Sequence, residues 1–309
     1  MSVATQDVAG QLELHRRELT GYCYRMLGSP FEAEDAVQET MLRAWKAIDR
    51  FEGRSALRSW LYRIATNVCL DMLNGKERRI RPLELGDPLG EFAWVQPIAD
   101  AKIAPDGGDP AQLAEERETL KLAFVAALQH LPPQQRAVLI LREALRWRAN
   151  EVAELLETSV ASVNSALQRA RATLEANDVS AEATPSAESA DAELLARYVD
   201  AFERYDMEAL TALIHEDATQ SMPPFALWLD GREDIAAWHV GPGHECRDSR
   251  LVPLAVNGSP AFAAYKPAPD GSHRPFSVQV LDLAGDKIAR ITYFLDTSLF
   301  ERFGLPPKL

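Results

Sequence analysis

The chain predicts a multi-domain protein in which two all-α helical domains, the second carrying a helix-turn-helix, precede an α+β domain. Three observations carry this reading. Apolar residues recur at helical period over 11–75 and again over 111–175. Between these blocks the period dissolves into Pro, Gly and acidic residues. After residue 190, two helical segments give way to consecutive runs of strand character separated by Gly, Pro and Asp turns. A chain of 309 residues is long enough for each part to bury its own core.

The first helix places Leu12, Leu19, Tyr22, Cys23, Met26 and Leu27 on one face. The second has a start signal in Ser29-Pro30-Phe31-Glu32, an N-cap, a proline at the first helical position and a capping-box glutamate. Its stripe is Ala33, Val37, Met41, Ala44, Trp45 and Ile48, leaving Glu34, Asp35, Gln38, Glu39 and Arg43 outside. After the Phe51–Ser55 turn a third helix packs with Leu57, Trp60, Leu61, Ile64, Ala65, Val68 and Met72, and presents Arg63, Asn67, Asp71 and Asn74 outward. Residues 76–110 read as a linker with a basic start at Lys76, Arg78, Arg79 and Arg81. A loop that long inside one compact domain would be unusual, so it is expected to separate two domains.

The second block, 111–175, contains the most specific pattern. Val152, Ala153 and Leu156 form an apolar stripe, Glu157-Thr158-Ser159 breaks it, and Val160, Val163, Leu167, Ala170 and Leu174 resume it. Off the second stripe lie Ala161, Ser162, Asn164, Ser165, Gln168, Arg169 and Arg171. Short polar and amide side chains followed by arginines suit a helix whose start meets base edges and whose end meets phosphate. An ordinary helical hairpin would explain the stripe but not the run of amides and hydroxyls, which favours duplex DNA as the partner. Residues 176–190, rich in Ala, Ser, Glu and Thr, form a second linker.

In 191–309, helices over roughly 191–204 and 206–215 lead into strands at Ser249–Asn257, Ala261–Lys266, Pro275–Leu283 and Lys287–Phe294. Asp230-Gly231-Arg232 introduces one further helix that ends near His239. The order implies an antiparallel sheet.

Charge is unevenly placed. Residues 1–176 hold 22 Lys and Arg against 25 Asp and Glu, while 177–309 hold 11 against 21, within a whole-chain net charge of −13. An acidic whole does not attract nucleic acid in bulk, so DNA contacts must come from local strips such as Arg136, Arg142, Arg146 and Arg148. Free DNA should bind weakly. Cys23, Cys69 and Cys246 lie far apart without CxxC spacing, which argues against a zinc site and a disulfide framework and for a reduced cytosolic protein. The N-terminus lacks an apolar signal region, and no apolar run approaches the ~18 residues of a spanning helix. No metal or cofactor is implied, and a monomer is expected, since no heptad or dimer face is visible.

Two motif sets give these blocks a family resemblance. Glu34-Asp35-Ala36-Val37-Gln38-Glu39-Thr40 with Trp45, then Phe51 and Arg58-Ser59-Trp60-Leu61-Tyr62-Arg63-Ile64-Ala65-Thr66-Asn67, resemble the promoter-melting domain of the extracytoplasmic-function (group IV) sigma-70 factors of bacterial RNA polymerase. Leu131-Pro132-Pro133-Gln134-Gln135-Arg136 and Val163 to Arg171 resemble the domain that reads the upstream promoter element. The resemblance implies a bacterial cytoplasmic protein that binds core polymerase at its clamp helices and flap and directs initiation. It places Asp35, Gln38, Glu39 and Arg43 at the polymerase. It gives the −10 element to Phe51, Arg54, Ser55, Arg58, Arg63, Asn67 and Asp71, with Arg78 and Arg79 along the phosphates. It gives the −35 element to Ser162, Asn164, Ser165, Gln168, Arg169 and Arg171. Three departures stand out: Glu157 replaces the usual turn glycine, Asn164 and Ala166 stand where basic residues are common, and Asn150 replaces a small residue and should be exposed.

Residues 191–309 are similar to SnoaL-like domains, cone-shaped α+β barrels, through helix–strand order and Gly231-Arg232-Glu233-Asp234-Ile235. One reading is regulatory, with the acidic domain folding back on the sigma domains through its short linker. The alternatives are an enzyme or a small-molecule sensor fused to a DNA-binding module. Both require a pocket walled by Trp228, Trp238, His239, Tyr265 and Tyr293, with His215, Asp217, His244 and Asp296 as further candidate bases. Spacing identifies no acid/base pair among them, and regulation without covalent chemistry is favoured.

Overall fold

The computed structural model describes residues 10–51, 56–77, 95–103, 117–176, 188–223, 225 and 227–309. It divides into two compact units, one holding both helical blocks and the other the C-terminal domain. Among the described residues no helix is long and apolar enough to cross a membrane.

In the first unit, α1 (Arg16–Leu27), α2 (Pro30–Ala47) and α3 (Leu57–Glu77) pack through Leu19, Tyr22 and Met26 of α1, Ala33, Ala36, Val37 and Ala44 of α2, and Leu61, Tyr62, Ala65 and Val68 of α3, all buried. The expected first helix breaks at Leu14 and His15 before α1 begins. Gly28 stops α1 at a φ of 73°, a left-handed position that glycine takes without a Cβ penalty. Ser29 does sit at the N-cap of α2, but its side chain makes no cap hydrogen bond, and its hydroxyl donates to Gln96 Oε1 at 2.6 Å. Trp45, expected in the core, is 39% exposed. Thr40, outside the expected stripe, is buried, and its hydroxyl donates to the Ala36 carbonyl at 2.7 Å and so carries no unsatisfied donor into the core.

Part of the 76–110 linker is built into this unit. The Gln96 N–H donates to the Gly28 carbonyl at 2.9 Å, Tyr24 Oη donates to the Gln96 carbonyl at 2.8 Å, and Ile98 and Ile103 are buried. Helices α4 (Leu122–Gln129), α5 (Pro133–Leu139), α6 (Ala149–Leu155) and α7 (Val160–Ala176) complete the unit. A π-helical turn, Ile140–Ala144, and Arg146 at a φ of 58° reverse the chain between α5 and α6. The two helical blocks therefore share a single apolar core, in which Val125, Leu128, Leu141, Trp147, Val152, Val163 and Leu167 continue that of α1–α3.

Arg136, expected on a DNA-facing basic strip, is instead 4% exposed and belongs to this core. Its Nη1 donates to the Met26 carbonyl and, at 2.6 Å, to Gln129 Oε1; its Nη2 donates to the carbonyls of Gln129 at 3.0 Å and Leu131 at 3.1 Å. Burial lowers its pKa to about 10, which still leaves it charged at neutral pH.

The second unit opens with α8 (Glu188–Glu203) and α9 (Met207–Ala212), the latter capped by Asp206, which accepts from the Ala209 N–H at 3.0 Å. Then follow β1 (Ile214–Ser221), β2 (Trp228–Asp230), α10 (Arg232–Val240), β3 (Arg250–Val256), β4 (Ser259–Pro267), β5 (His273–Ala284), β6 (Lys287–Phe294) and α11 (Ser298–Arg302). The sheet runs β2-β1-β6-β5-β4-β3. It is mixed rather than purely antiparallel, because β1, which has no clear alternation, pairs parallel to β6. Asn257 and Gly258 both take positive φ in the two-residue turn joining β3 and β4, the requirement of a type I′ hairpin. Register shifts in the β4–β5 and β5–β6 pairings mark bulges, which bend strands, and α8 lays Tyr198 and Phe202 against Phe262 and Tyr293.

Replacing Arg136 by Ala should destabilise the first unit by about 3 kcal/mol or more, since three buried carbonyls and an amide lose a charged donor. Arg136→Lys should recover little of this, because an ammonium lacks the planar fork. Urea unfolding of both variants measures the effect.

Candidate nucleic-acid interface

The helix-turn-helix is α6–turn–α7. Glu157 occupies the turn at a φ of 52°, the left-handed position where a glycine is usual, at a cost of about 1 kcal/mol. Ser159 caps α7, its Oγ accepting from the Ser162 N–H at 3.1 Å. Val163, Leu167 and Ala170 anchor α7 in the core, while Ser162, Asn164, Ser165, Gln168, Arg169 and Arg171 are all exposed. Five of these six divide into two rows. Asn164, Gln168 and Arg171 line one surface concavity. Ser162 and Arg169 line another, together with Asn67 and Leu70 of α3 and Glu157 of the turn. Arg171 is steadied by Glu143, Nη2 to Oε1 at 2.6 Å. Asn150 is exposed, as its polarity requires.

On α3, Arg63, Asn67 and Asp71 follow one another at four-residue spacing. Asn67 and Asp71 are exposed, and Arg63 is half-buried. Phe51, also half-buried, packs on Trp60 with ring centroids 5.0 Å apart. Arg58 is exposed, and its Nε donates to Glu18 Oε2 at 2.7 Å. Arg54 and Ser55, like Arg78 and Arg79, lie outside the described residues.

On α2, Asp35, Gln38 and Arg43 are exposed and Glu39 is half-buried. Arg43 bridges Glu39 at 2.6 Å and Asp71 at 3.4 Å, linking α2 to α3. Leu42 and Trp45, 46% and 39% exposed, complete an exposed strip with Asp35 and Gln38 that periodicity alone had turned inward at Trp45. Trp147 was missed as well: nothing in the sequence marks it as a neighbour of Tyr62, yet their rings lie 5.1 Å apart.

The pocket expected in the C-terminal domain is brought together only in part. Trp238, His239 and Tyr293 cluster, with ring centroids 5.1 Å apart for Trp238 and His239 and 6.4 Å for His239 and Tyr293. Trp228 is 58% exposed, and Tyr265 packs on Phe300 while its hydroxyl donates to the Pro306 carbonyl, so neither joins them. Sheet register puts Gln279 directly opposite Tyr293, and Tyr198 Oη donates to Gln279 Oε1 at 2.7 Å. His215, Asp217 and His244 are exposed, and His215 and Asp217 approach only to 4.0 Å. Among the described residues of this unit the fully buried polar groups are Ser, Gln, Asn and His, with no carboxylate.

His239 is 1% exposed with no hydrogen-bond partner on either ring nitrogen, and burial pushes its pKa down to about 4. The folded domain therefore favours the neutral ring, a contribution fully present above the unfolded value near 6.5 and lost as pH falls towards 4. The stability of the C-terminal domain, followed by thermal unfolding, should fall over that window by an amount on the order of 3 kcal/mol from this group alone. His239→Phe should flatten the profile.

Residues 12–79 match the family model for Sigma-70 region 2, residues 121–174 that for Sigma-70 region 4, and residues 195–291 that for the SnoaL-like domain. The chain is 46% identical to the ECF RNA polymerase sigma factor SigG of Mycobacterium tuberculosis, over 98% of this chain and 85% of that protein. It is 30% identical to the ECF RNA polymerase sigma factor SigW of Bacillus subtilis, over 53% of this chain and 84% of that one. The crystal structure of the extracytoplasmic function sigma factor SigJ of Mycobacterium tuberculosis superposes with a TM-score of 0.64 over 96% of this chain and 99% of that chain, and at 23% identity this is a likeness of fold. Two sigma regions in order, a helix-turn-helix with its polar face exposed and a SnoaL-like domain behind them lead to one assignment: the chain belongs to the ECF RNA polymerase sigma factor family.

Proposed function

We propose that this sigma factor docks on the clamp helices of core polymerase through Asp35, Gln38, Glu39 and Arg43, with Leu42 and Trp45 adding apolar contact. Region 4 meets the polymerase flap and reads the −35 element through Asn164, Ser165, Gln168 and Arg169, with Ser162 and Arg171 at its margins. Region 2 holds the opened −10 strand with Asn67 and Asp71 near an extruded base and Arg58 and Arg63 at phosphates, aided by Phe51, Arg54 and Ser55. The observation that carries the reading is the exposed face of α7. Amide and hydroxyl side chains stand there on a helix whose other side is fixed in the core, the arrangement that direct readout of base edges requires.

The acidic C-terminal domain tunes this activity rather than turning over a substrate. Its one buried titratable cluster offers a neutral histidine, held at a pKa of about 4, with no buried carboxylate beside it among the described residues. Such a histidine is a weak base at neutral pH. The protein is taken to act in the bacterial cytoplasm, where core polymerase and promoter DNA are its partners.

Run-off transcription with core polymerase on a promoter library, comparing the full chain with one ending at Ala176, tests the assignment. Both should initiate, and the ratio of their activities should depart from one; initiation by neither would sink it. On a promoter found this way, Gln168→Ala should cut initiation about tenfold, the worth of one lost base contact of ~1–3 kcal/mol, without changing affinity for core polymerase. Asp35→Ala should show the reverse, with core affinity lowered and promoter preference unchanged.

A further inference from the structure

The guanidinium of Arg58, assigned above to a −10 phosphate, is held from two directions by region 2 itself. Its Nε donates to Glu18 Oε2 at 2.7 Å, and its central carbon lies 5.2 Å from the ring centroid of Tyr62, a fully buried residue. Glu18 is fixed in turn: His15 Nδ1 donates to its Oε1 at 2.5 Å and Tyr62 Oη to its Oε2 at 3.3 Å. Both carboxylate oxygens are therefore engaged, by donors from the start of α1 and from α3. The pair spans forty residues of sequence, and only 30% of the Glu18 side chain is exposed. Arg16 with Glu13 and Arg204 with Asp200 are different, being local pairs with every side chain 46% exposed or more. Pairs of that kind contribute little. Trp147 also stands 5.4 Å from the guanidinium, but the hold of Glu18 and Tyr62 needs no residue of the second helical block.

A guanidinium is a planar fork with five N–H groups and two faces. Here Nε is committed to Glu18 and one face to Tyr62, while among the described residues Glu18 is the only acid paired with Arg58, whose side chain stays 45% exposed. The Nη1–Nη2 end of the fork, which can grip two oxygens of one phosphate, has no ion partner there. We propose that Glu18, itself set by His15, is a positioning residue for nucleic-acid binding: it takes the Nε edge of Arg58, so that the Nη end meets a backbone phosphate of the opened −10 strand already oriented. The inference rests on the reading of Arg58 as a phosphate contact and adds the group that aims it. A free arginine side chain surrenders its rotamer freedom on binding, whereas one already held surrenders little, and the difference appears as strand affinity. The Glu18 charge also repels phosphate. Orientation and repulsion thus oppose each other, and the proposal is that orientation wins.

The test is a double-mutant cycle in the full chain bound to core polymerase, read as affinity for a promoter duplex with a mismatched bubble at −10. Glu18→Ala should weaken this binding by about threefold to tenfold, with affinity for core polymerase unchanged. Arg58→Ala should weaken it at least as much and lower the salt slope by about 0.7, the share of one single-strand phosphate contact. Adding Glu18→Ala to Arg58→Ala should cost nothing further, because a residue that acts through another is silent once that other is gone. Glu18→Gln, which keeps an oxygen for Nε, should recover part of the loss. His15→Ala frees Glu18 without removing its charge, and its own cycle against Arg58→Ala should show the same silence; this arm carries the test if thermal unfolding finds Glu18→Ala poorly folded. Losses that multiply in the double variants would overturn the proposal, since a merely structural role persists without Arg58. Binding by Glu18→Ala as tight as wild type or tighter would overturn it too, the carboxylate then restraining Arg58 rather than aiming it. If Arg58→Ala alone leaves affinity and salt slope unchanged, the phosphate reading of Arg58 falls and the proposal falls with it.

Discussion

The guanidinium of Arg136 is the interaction on which the helical unit depends most. It ties the carbonyl of Met26, at the end of α1, to the Gln129 and Leu131 carbonyls that close α4. These are helix-end carbonyls without intrahelical partners, and a buried one needs a donor from elsewhere. One planar fork with five N–H groups meets several at once. Arg25 does similar work beside it, donating to the Thr119 carbonyl and hydroxyl. Regions 2 and 4 thereby share a polar joint inside a common apolar core, and the joint fixes where α6 and α7 lie against α3.

That geometry sets the terms of DNA recognition. A recognition helix must bury one side to be held and expose the other to read bases, and α7 does so with Val163, Leu167 and Ala170 inward. Its exposed side is wider than one groove, so its two rows meet different surroundings. Asn164, Gln168 and Arg171 look outward, whereas Ser162 and Arg169 share a concavity with α3.

The C-terminal domain follows a different rule. Its interior holds buried polar groups, with Gln279 opposite Tyr293 and His239 near Tyr293, and burial favours the neutral histidine. Unpartnered nitrogens on a buried ring cost stability.

Much of this was legible in the residues themselves. Helical period located α1 to α3 and α5 to α7 because one face of each is apolar, and the Glu157 turn, the β3 to β6 strands and the exposed polar set of α7 followed from the same local rules. What the chain could not declare alone were long-range partnerships. Arg136 looked like a surface cation until its carbonyls were in place, Trp147 gave no sign of Tyr62, and the Ser29 hydroxyl, expected only as a cap, donates to Gln96, sixty-seven residues away. β1 escaped because a strand edged by exposed residues lacks alternation, and its parallel pairing with β6 depends on contacts across more than seventy residues. By itself the sequence determined most of the elements, their order and the polar faces they expose, since periodicity and capping are set by neighbours a few residues apart. Only the tertiary structure decided which of those faces are free, because burial, hydrogen-bond satisfaction and charge pairing belong to residues that meet only when the chain has folded.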